Sequence, residues 1–463
     1  MKKYLLLLLS LLLSMTMYGC SNSSETETAI SQPVEDLVVT DSSLPAKESI
    51  TINETYTSEA DGEHAIEADG EDTAYSNIKV EKTGDSSGDE ADFYGENAAV
   101  FATNGATLGL DSIIVETDGT HANGVFSYGE GTTVNISNSV IETTGNCSGG
   151  LMTTGNGTMN ATNLSIHTTG NSSAAIRSDR GGGTVNVSEG SYITEGKGSP
   201  VIYSTADITV SDAYLESTSS QGVVVEGQNS VTLNDVELVA SNVSKNSDKS
   251  DWYQAVMIYQ SMSGDADEGT ASFTMKDGSL LNKNGDIFFV NNTVATISLE
   301  NVKIVNEDEE GYLLRAAAAG WGTEGSNGGH VTMDLSDQTV EGDIIVDEVS
   351  SLNLYLKNSS VYTGAINEEE SEGEIYVEIE EGSKWILSAD SNITSLTCAA
   401  DSIDLNGHKL YVNGVEYSEG TALKGEEIVV EMSSSSHGHS SESGHKPGNG
   451  NEPPEKPSDH NNG

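Results

Sequence analysis

Arginine is the scarcest charged residue in this 463-residue chain, which has only Arg177, Arg180 and Arg315. Lysine and arginine together number 20 against 73 aspartates and glutamates, for a formal charge of −53. So few cations cannot neutralise a phosphate backbone or dock on anionic lipid by charge, which excludes nucleic acid as a partner. The acidity permits divalent cations or serves as a solvated surface. Cysteine is nearly absent too. Cys20, Cys147 and Cys398 are too few for a disulfide scaffold, and about ten stacked strands at ~4.8 Å would hold Cys147 and Cys398 on the order of 50 Å apart. Among seven prolines only Pro200 interrupts the middle of the chain. No stretch keeps a helical 3.6-residue pattern. The single apolar run, Leu5 to Met17, is too short for a stable membrane anchor.

What is present is a repeat. Val100, Val125, Leu151, Ile176, Ile202 and Val224 form one column, at intervals of 25, 26, 25, 26 and 22 residues. A second column, Val115, Ile141, Ile166, Tyr192, Leu215 and Leu238, steps by 26, 25, 26, 23 and 23. Self-similarity at this period marks a repeat architecture, and each unit consists of short alternating strands and Gly-rich turns. The segment Ser172 to Gly198 shows one full unit, with strands at Ala174 to Ile176, at Val185 and Val187, and around Tyr192. Val185 and Val187 are continued by Ile208/Val210, Val231/Leu233, Phe273/Met275, Ile297/Leu299 and Val331/Met333. The expected fold is all-β, a single-stranded right-handed parallel β-helix of about 22–26 residues per coil. A left-handed β-helix would show hexapeptide repeats, and none occurs.

Around this body the composition changes. Residues 1–19 have the lysine pair and apolar run of a secretory signal. The Gly19-Cys20 step resembles a bacterial lipobox, which makes Cys20 the expected lipid-bearing first mature residue on an exported, cell-surface protein. Residues 20–49 read as a flexible tether. Residues 50–432 read as the β-helix, with an N-terminal cap and irregular C-terminal coils. Residues 433–463, rich in Ser, His, Pro and Gly and carrying His437, His439, His445 and His460, read as a disordered tail. Insertions at Val243–Trp252, Ser263–Thr270 and Ala316–His330 lengthen the later coils.

Arg177 sets the parity of the first strand. Pointing inward it would be a buried charge without an evident counterion, so Ile176 faces the core and Arg177 faces out. The same parity puts Phe101, Phe126, Met152, Arg177, Tyr203 and Val225 in one outward column. An aromatic and apolar ladder of this kind is a candidate glycan-binding surface, unless the N-terminal segment or a long loop folds over it. The column Thr117, Thr143, Thr168, Thr194 and Ser217 is expected to form a mutually hydrogen-bonded internal stack, and the Glu116/Glu142 column a solvated one.

Turns after the first strand line one edge, where Asp179, Arg180 and Trp321 join the ligand-binding candidates. Arg177 and Arg180 could fork a carboxylate or uronate, or bridge to Asp179. Asp265, Asp267 and Glu268 offer oxygen ligands for Ca²⁺ without the EF-hand spacing; no other cofactor is expected.

The coil pattern of 50–432 resembles the pectin-lyase-like β-helix superfamily, and with the lipobox and polar tail it resembles adhesin-like bacterial surface lipoproteins. The first resemblance implies either a pectate-lyase-like enzyme, with Ca²⁺-binding aspartates and an Arg base, or a hydrolase with clustered aspartates. Yet the chain has no Asn-Thr-Asp, Asp-Asp, Gly-His-Gly or Arg-x-Lys, and Arg177 with Asp179 is the one lyase-like candidate. The leading expectation is therefore a non-catalytic, monomeric surface lipoprotein that binds glycan or another surface ligand. A polysaccharide lyase or glycoside hydrolase is the alternative.

Overall fold

A computed structural model describes residues 44–430, apart from 246 and 369–372. Cys20, the signal segment, most of the tether and the His-rich tail lie outside the described residues. The body is an all-β, right-handed parallel β-helix. Eleven first strands, from Ile66–Asp69 to Ile344–Val346, stack into one parallel sheet; the second strands, with the third strands as far as Lys303–Asn306, stack into a 20-stranded sheet, and the later third strands, from Thr339–Glu341 to Ile403–Asp404, form a separate four-stranded one. Side chains alternate in and out along each strand. The inward set forms one continuous apolar core running from Ile66 to Tyr417.

The second predicted column holds in full: Val115, Ile141, Ile166, Tyr192, Leu215 and Leu238 are successive partners. The first slips by one residue at its end, because Ile202 pairs with Val223 rather than Val224. Val225 is therefore a core residue, and Val224 takes the outward place above Tyr203. A run of three valines gives no alternation from which to read this. The Val185 column also shifts, since Ile297 and Leu299 pair with Met333 and Leu335. That slip is of two residues, so the inward face is preserved.

The corners explain why the coils keep register. Between second and third strands a left-handed residue recurs at Asn77, Asn138, Asn163, Asp212, Asp235 and Asn301, with φ of 50–56°, a conformation that Asn and Asp tolerate best after glycine. The threonine column does not bond to itself as expected. Thr117, Thr143, Thr168 and Thr194 each donate to a turn carbonyl five residues on, at 2.5–2.7 Å, which satisfies buried backbone acceptors. Beside them Gly145, Gly170 and Gly196 stack so closely that a Cβ would lie 1.8–1.9 Å from the carbonyl oxygen of the coil before.

Both solenoid ends are covered, as exposed strand edges and core require. At the N-terminal end Glu54–Ser58 pairs with Ile78–Lys82. Lys82 is fully buried, where it donates to the Ala60 carbonyl at 2.6 Å. At the other end Tyr362 and Trp385 fill the core, and an antiparallel pair, Tyr411 with Glu416, closes the stack. The Glu116/Glu142 column is not merely solvated: Lys47 pairs with both carboxylates, and Lys79 reaches Glu116 at 2.7 Å.

Candidate functional site

The outward face of the first-strand sheet carries the column Phe101, Phe126, Met152, Arg177, Tyr203, Val224, Met257, Phe289 and Arg315. Its side chains do point away from the solenoid core, but at the first coils they are covered, the alternative to the exposed glycan-binding surface. Phe126 and Met152 are fully buried and Phe101 is 7 % exposed. The cover is the segment 85–97, an insertion whose short helix, Asp89–Phe93, lies over these coils. Phe101, Phe126 and Met152 pack with Ala98 beneath it as a second, separate core.

Several contacts fasten this lid. Thr154 donates to the Phe93 carbonyl at 2.7 Å, and Tyr94 packs edge-on against Tyr128. Gly95, at φ +81°, leaves no room for a side chain: a Cβ would lie 2.6 Å from the Phe101 ring. Arg180 stacks on Phe93 at 3.7 Å and donates to Asp89 at 2.9 Å and to Asp265 at 2.6 Å, so the guanidinium ties the lid to the later loop. Arg177 has found the counterion that its outward placement did not seem to need. It donates to Asp179 at 2.7 Å, with its own side chain only 15 % exposed. Burial pushes the Asp179 carboxyl upward, and Arg177 only partly offsets this.

Asp92, on the inner side of the lid helix, meets His121 and Cys147. Asp92 Oδ1 lies 2.8 Å from His121 Nδ1, and one ligand atom from each of the three residues falls within 4.8 Å of the others. Burial opposes ionisation of Asp92, but His121 and the Arg177 and Arg180 guanidiniums outweigh it, and the carboxyl sits below its ordinary value. Burial, with the Asp92 charge, pushes the Cys147 thiol up. The Ca²⁺ candidates do not assemble in this way. Asp265 is committed to Arg180, Asp267 accepts from Gln228 at 3.5 Å, and Glu268 is exposed. Among the described residues the converging group is Asp92, His121 and Cys147. Cys147 and Cys398 are both free thiols.

Toward the later coils no helix among the described residues covers the column, and the insertions bearing Trp252 and Trp321 wall it instead. Trp252 packs edge-on to Phe289, and Trp321 edge-on to Tyr259, with centroids 5.4 and 5.3 Å apart. A backbone bond from Gly320 to Lys249, at 2.7 Å, joins two of the insertions, and Asn327 donates to the Ala319 and Trp321 carbonyls. Arg315 lies between the Trp252 and Tyr312 rings, at 4.5 and 4.6 Å, and donates to buried Asp286 at 2.6 Å. Tyr203 donates to buried Glu226, and burial drives its phenol well above the ordinary value.

Between these walls a cavity of about 190 Å³ opens on Tyr203, Trp252, Gln254, Tyr259 and Trp321. Gln254 is nearly fully buried and its Oε1 accepts no hydrogen bond. Of the sequence candidates, Tyr203 and Trp321 meet here, Arg177, Asp179 and Arg180 form the junction between lid and groove, and Phe101, Phe126 and Met152 are sealed under the lid. Sequence reasoning missed Trp252, Tyr259 and Gln254. The available signal was that two of the chain's three tryptophans lie in or at the edge of coil insertions, where a solenoid needs no large side chain.

Fold and face together define a parallel β-helix whose outward aromatic stripe is lidded at one end and open at the other. No protein-family model, no curated protein and no solved structure matches the chain.

Proposed function

We propose that this protein is a non-catalytic, glycan-binding β-helix, held on a bacterial cell surface by a lipid on Cys20. The observation that carries the reading is the cavity edged by Tyr203, Trp252, Tyr259 and Trp321. Aromatic faces take the C–H side of a sugar ring, while polar side chains on the same wall, Gln221 and Asn242, are of the kind that meets its hydroxyls. The volume of about 190 Å³ falls below the range of about 300–1,000 Å³ usual for drug-sized ligands, which favours a single or terminal sugar unit.

Charge narrows the class further. Arg177, Arg180 and Arg315 each already donate to a carboxylate, which leaves no free guanidinium to fork a uronate, and the net charge of −53 repels polyanions. Neutral glycans are the favoured ligands. Both the surface-lipoprotein setting and the likeness to the pectin-lyase-like superfamily rest on the sequence pattern. The test is a panel of neutral and uronate-containing oligosaccharides, scored for binding and for reducing-end or unsaturated products. Binding of neutral members without turnover is expected. Product release would establish the enzymatic alternative, and preference for uronates would overturn the ligand class.

A further inference from the structure

We propose that Asp92, His121 and Cys147 form a binding site for a divalent transition-metal ion, zinc foremost, which clips the lid helix to the two coils beneath it. The three residues come from separate segments: the lid, and the turns leading into two successive first strands. Their ligand atoms nevertheless converge within 4.8 Å. His121 and Cys147 occupy one column of the repeat. The His121 N–H donates to the Asn146 carbonyl and the Cys147 N–H to the Asn171 carbonyl, and the two residues share a left-handed conformation, φ 57° and 55°.

The backbone does not call for these side chains. The next two coils place Ser172, at φ 55°, and Gly198, at φ 65°, in the same position. Imidazole and thiol therefore appear in the two coils where Asp92 comes down on them. His121 Nδ1 is buried, and although Asp92 Oδ1 is 2.8 Å away the pair lacks hydrogen-bond geometry. A nitrogen and an oxygen this close and off the N–H axis can both face one ion, their separation opening to the roughly 3.4 Å of tetrahedral neighbours bound at about 2.0–2.2 Å.

The chemistry of the set names the ion class. Thiolate and imidazole suit zinc and its neighbours and not the hard, oxygen-seeking Ca²⁺ or Mg²⁺. Binding would release the Cys147 proton. Three protein ligands leave a fourth position for water, and half-buried Cys147 leaves a route to it. Arg177 is the cation that bears on both Asp92 and Cys147, and its pairing with Asp179 lessens the repulsion. The site is independent of what the open groove binds.

The test is titration of the metal-stripped full chain with Co²⁺, read by the thiolate-to-cobalt charge-transfer band. One thiolate-bound Co²⁺ per chain is expected, displaced by Zn²⁺. Cys147→Ser should abolish the band, Cys398→Ser should keep it, and His121→Ser should weaken binding by more than about tenfold. Ser172 shows that serine fits this backbone position, and His121→Ser tests the site independently of any failure of Cys147→Ser to fold. Zn²⁺ should raise the melting temperature of the wild type and leave that of Cys147→Ser unchanged. Absence of the band, or its survival in Cys147→Ser, would overturn the site. Metal bound without the band would assign the binding to other groups, such as the histidines of 433–463, and overturn it equally.

Discussion

The two ends of the outward stripe are built on the same strand positions and end in opposite states. Under the segment 85–97 the ladder Phe101, Phe126 and Met152 is a sealed second core. From Tyr203 to Ala317 the same face is walled by Trp252 and Trp321 and keeps a cavity. The coils supply an apolar column in both places, and the insertions decide whether it becomes packing or a groove. An aromatic ladder on a solenoid is thus no evidence of a binding face until the loops beside it are accounted for.

The comparison can be broken most sharply at the lidded end. Phe126→Ser removes a fully buried ring and leaves a hydroxyl in its place, and should cost about 3–5 kcal/mol in chemical denaturation. It should leave glycan binding by the folded protein unchanged. A small stability loss would mean that the lid stands open.

Next in size is Arg315→Met, which strands buried Asp286 and unseats Trp252; about 3 kcal/mol is expected from the unpaired carboxylate. Burial already raises Asp286 above its ordinary value, with Arg315 opposing. A carboxyl raised in the folded state contributes stability at pH below its unfolded value, and that stability is lost as pH rises through the folded one. Melting curves of the variant should accordingly fall more steeply with rising pH than those of the wild type. Parallel curves would count against a buried, paired Asp286.

The open end should respond in the opposite sense to the lidded one. Trp321→Ala is expected to cost about 1 kcal/mol or less in stability while removing measurable glycan affinity.

Smallest is the effect of acid on the Lys47 contact. Lys47, then Lys79, hold the Glu116 carboxyl below its ordinary value. Its contribution is present above the unfolded value near 4.5 and is lost as pH falls through the depressed folded value. The groups are about a third exposed, so no more than about 1 kcal/mol is at stake. Proteolysis near Lys47 should quicken on acidification, and Glu116→Gln should quicken it already at neutral pH. Equal cleavage in both proteins would separate Lys47 from the coil.

Much of this was legible in the sequence, because a solenoid writes its period directly. The column through Tyr192 pairs as read, and Arg177 alone fixed which side of the first strand leaves the core. Errors arose where alternation fails: Val223, Val224 and Val225 are identical, so their parity came only from hydrogen-bonded register. That a segment folds over the ladder was one reading open from the sequence, but 85–97 carries no repeat, so neither the covering segment nor which end it covers was readable. His121 and Cys147 stand 26 residues apart, one coil, so their stacking was latent in the period. Asp92 reaches them only through the fold of the insertion.

The central claim is that the open end of the stripe, and not the lidded end, holds a sugar. Calorimetric titration of neutral oligosaccharides into the wild type and Trp321→Ala tests it directly. Saturable binding by the wild type that disappears in Trp321→Ala, with both proteins folded, is the predicted result. Equal binding by the two proteins, or none by the wild type, would contradict it.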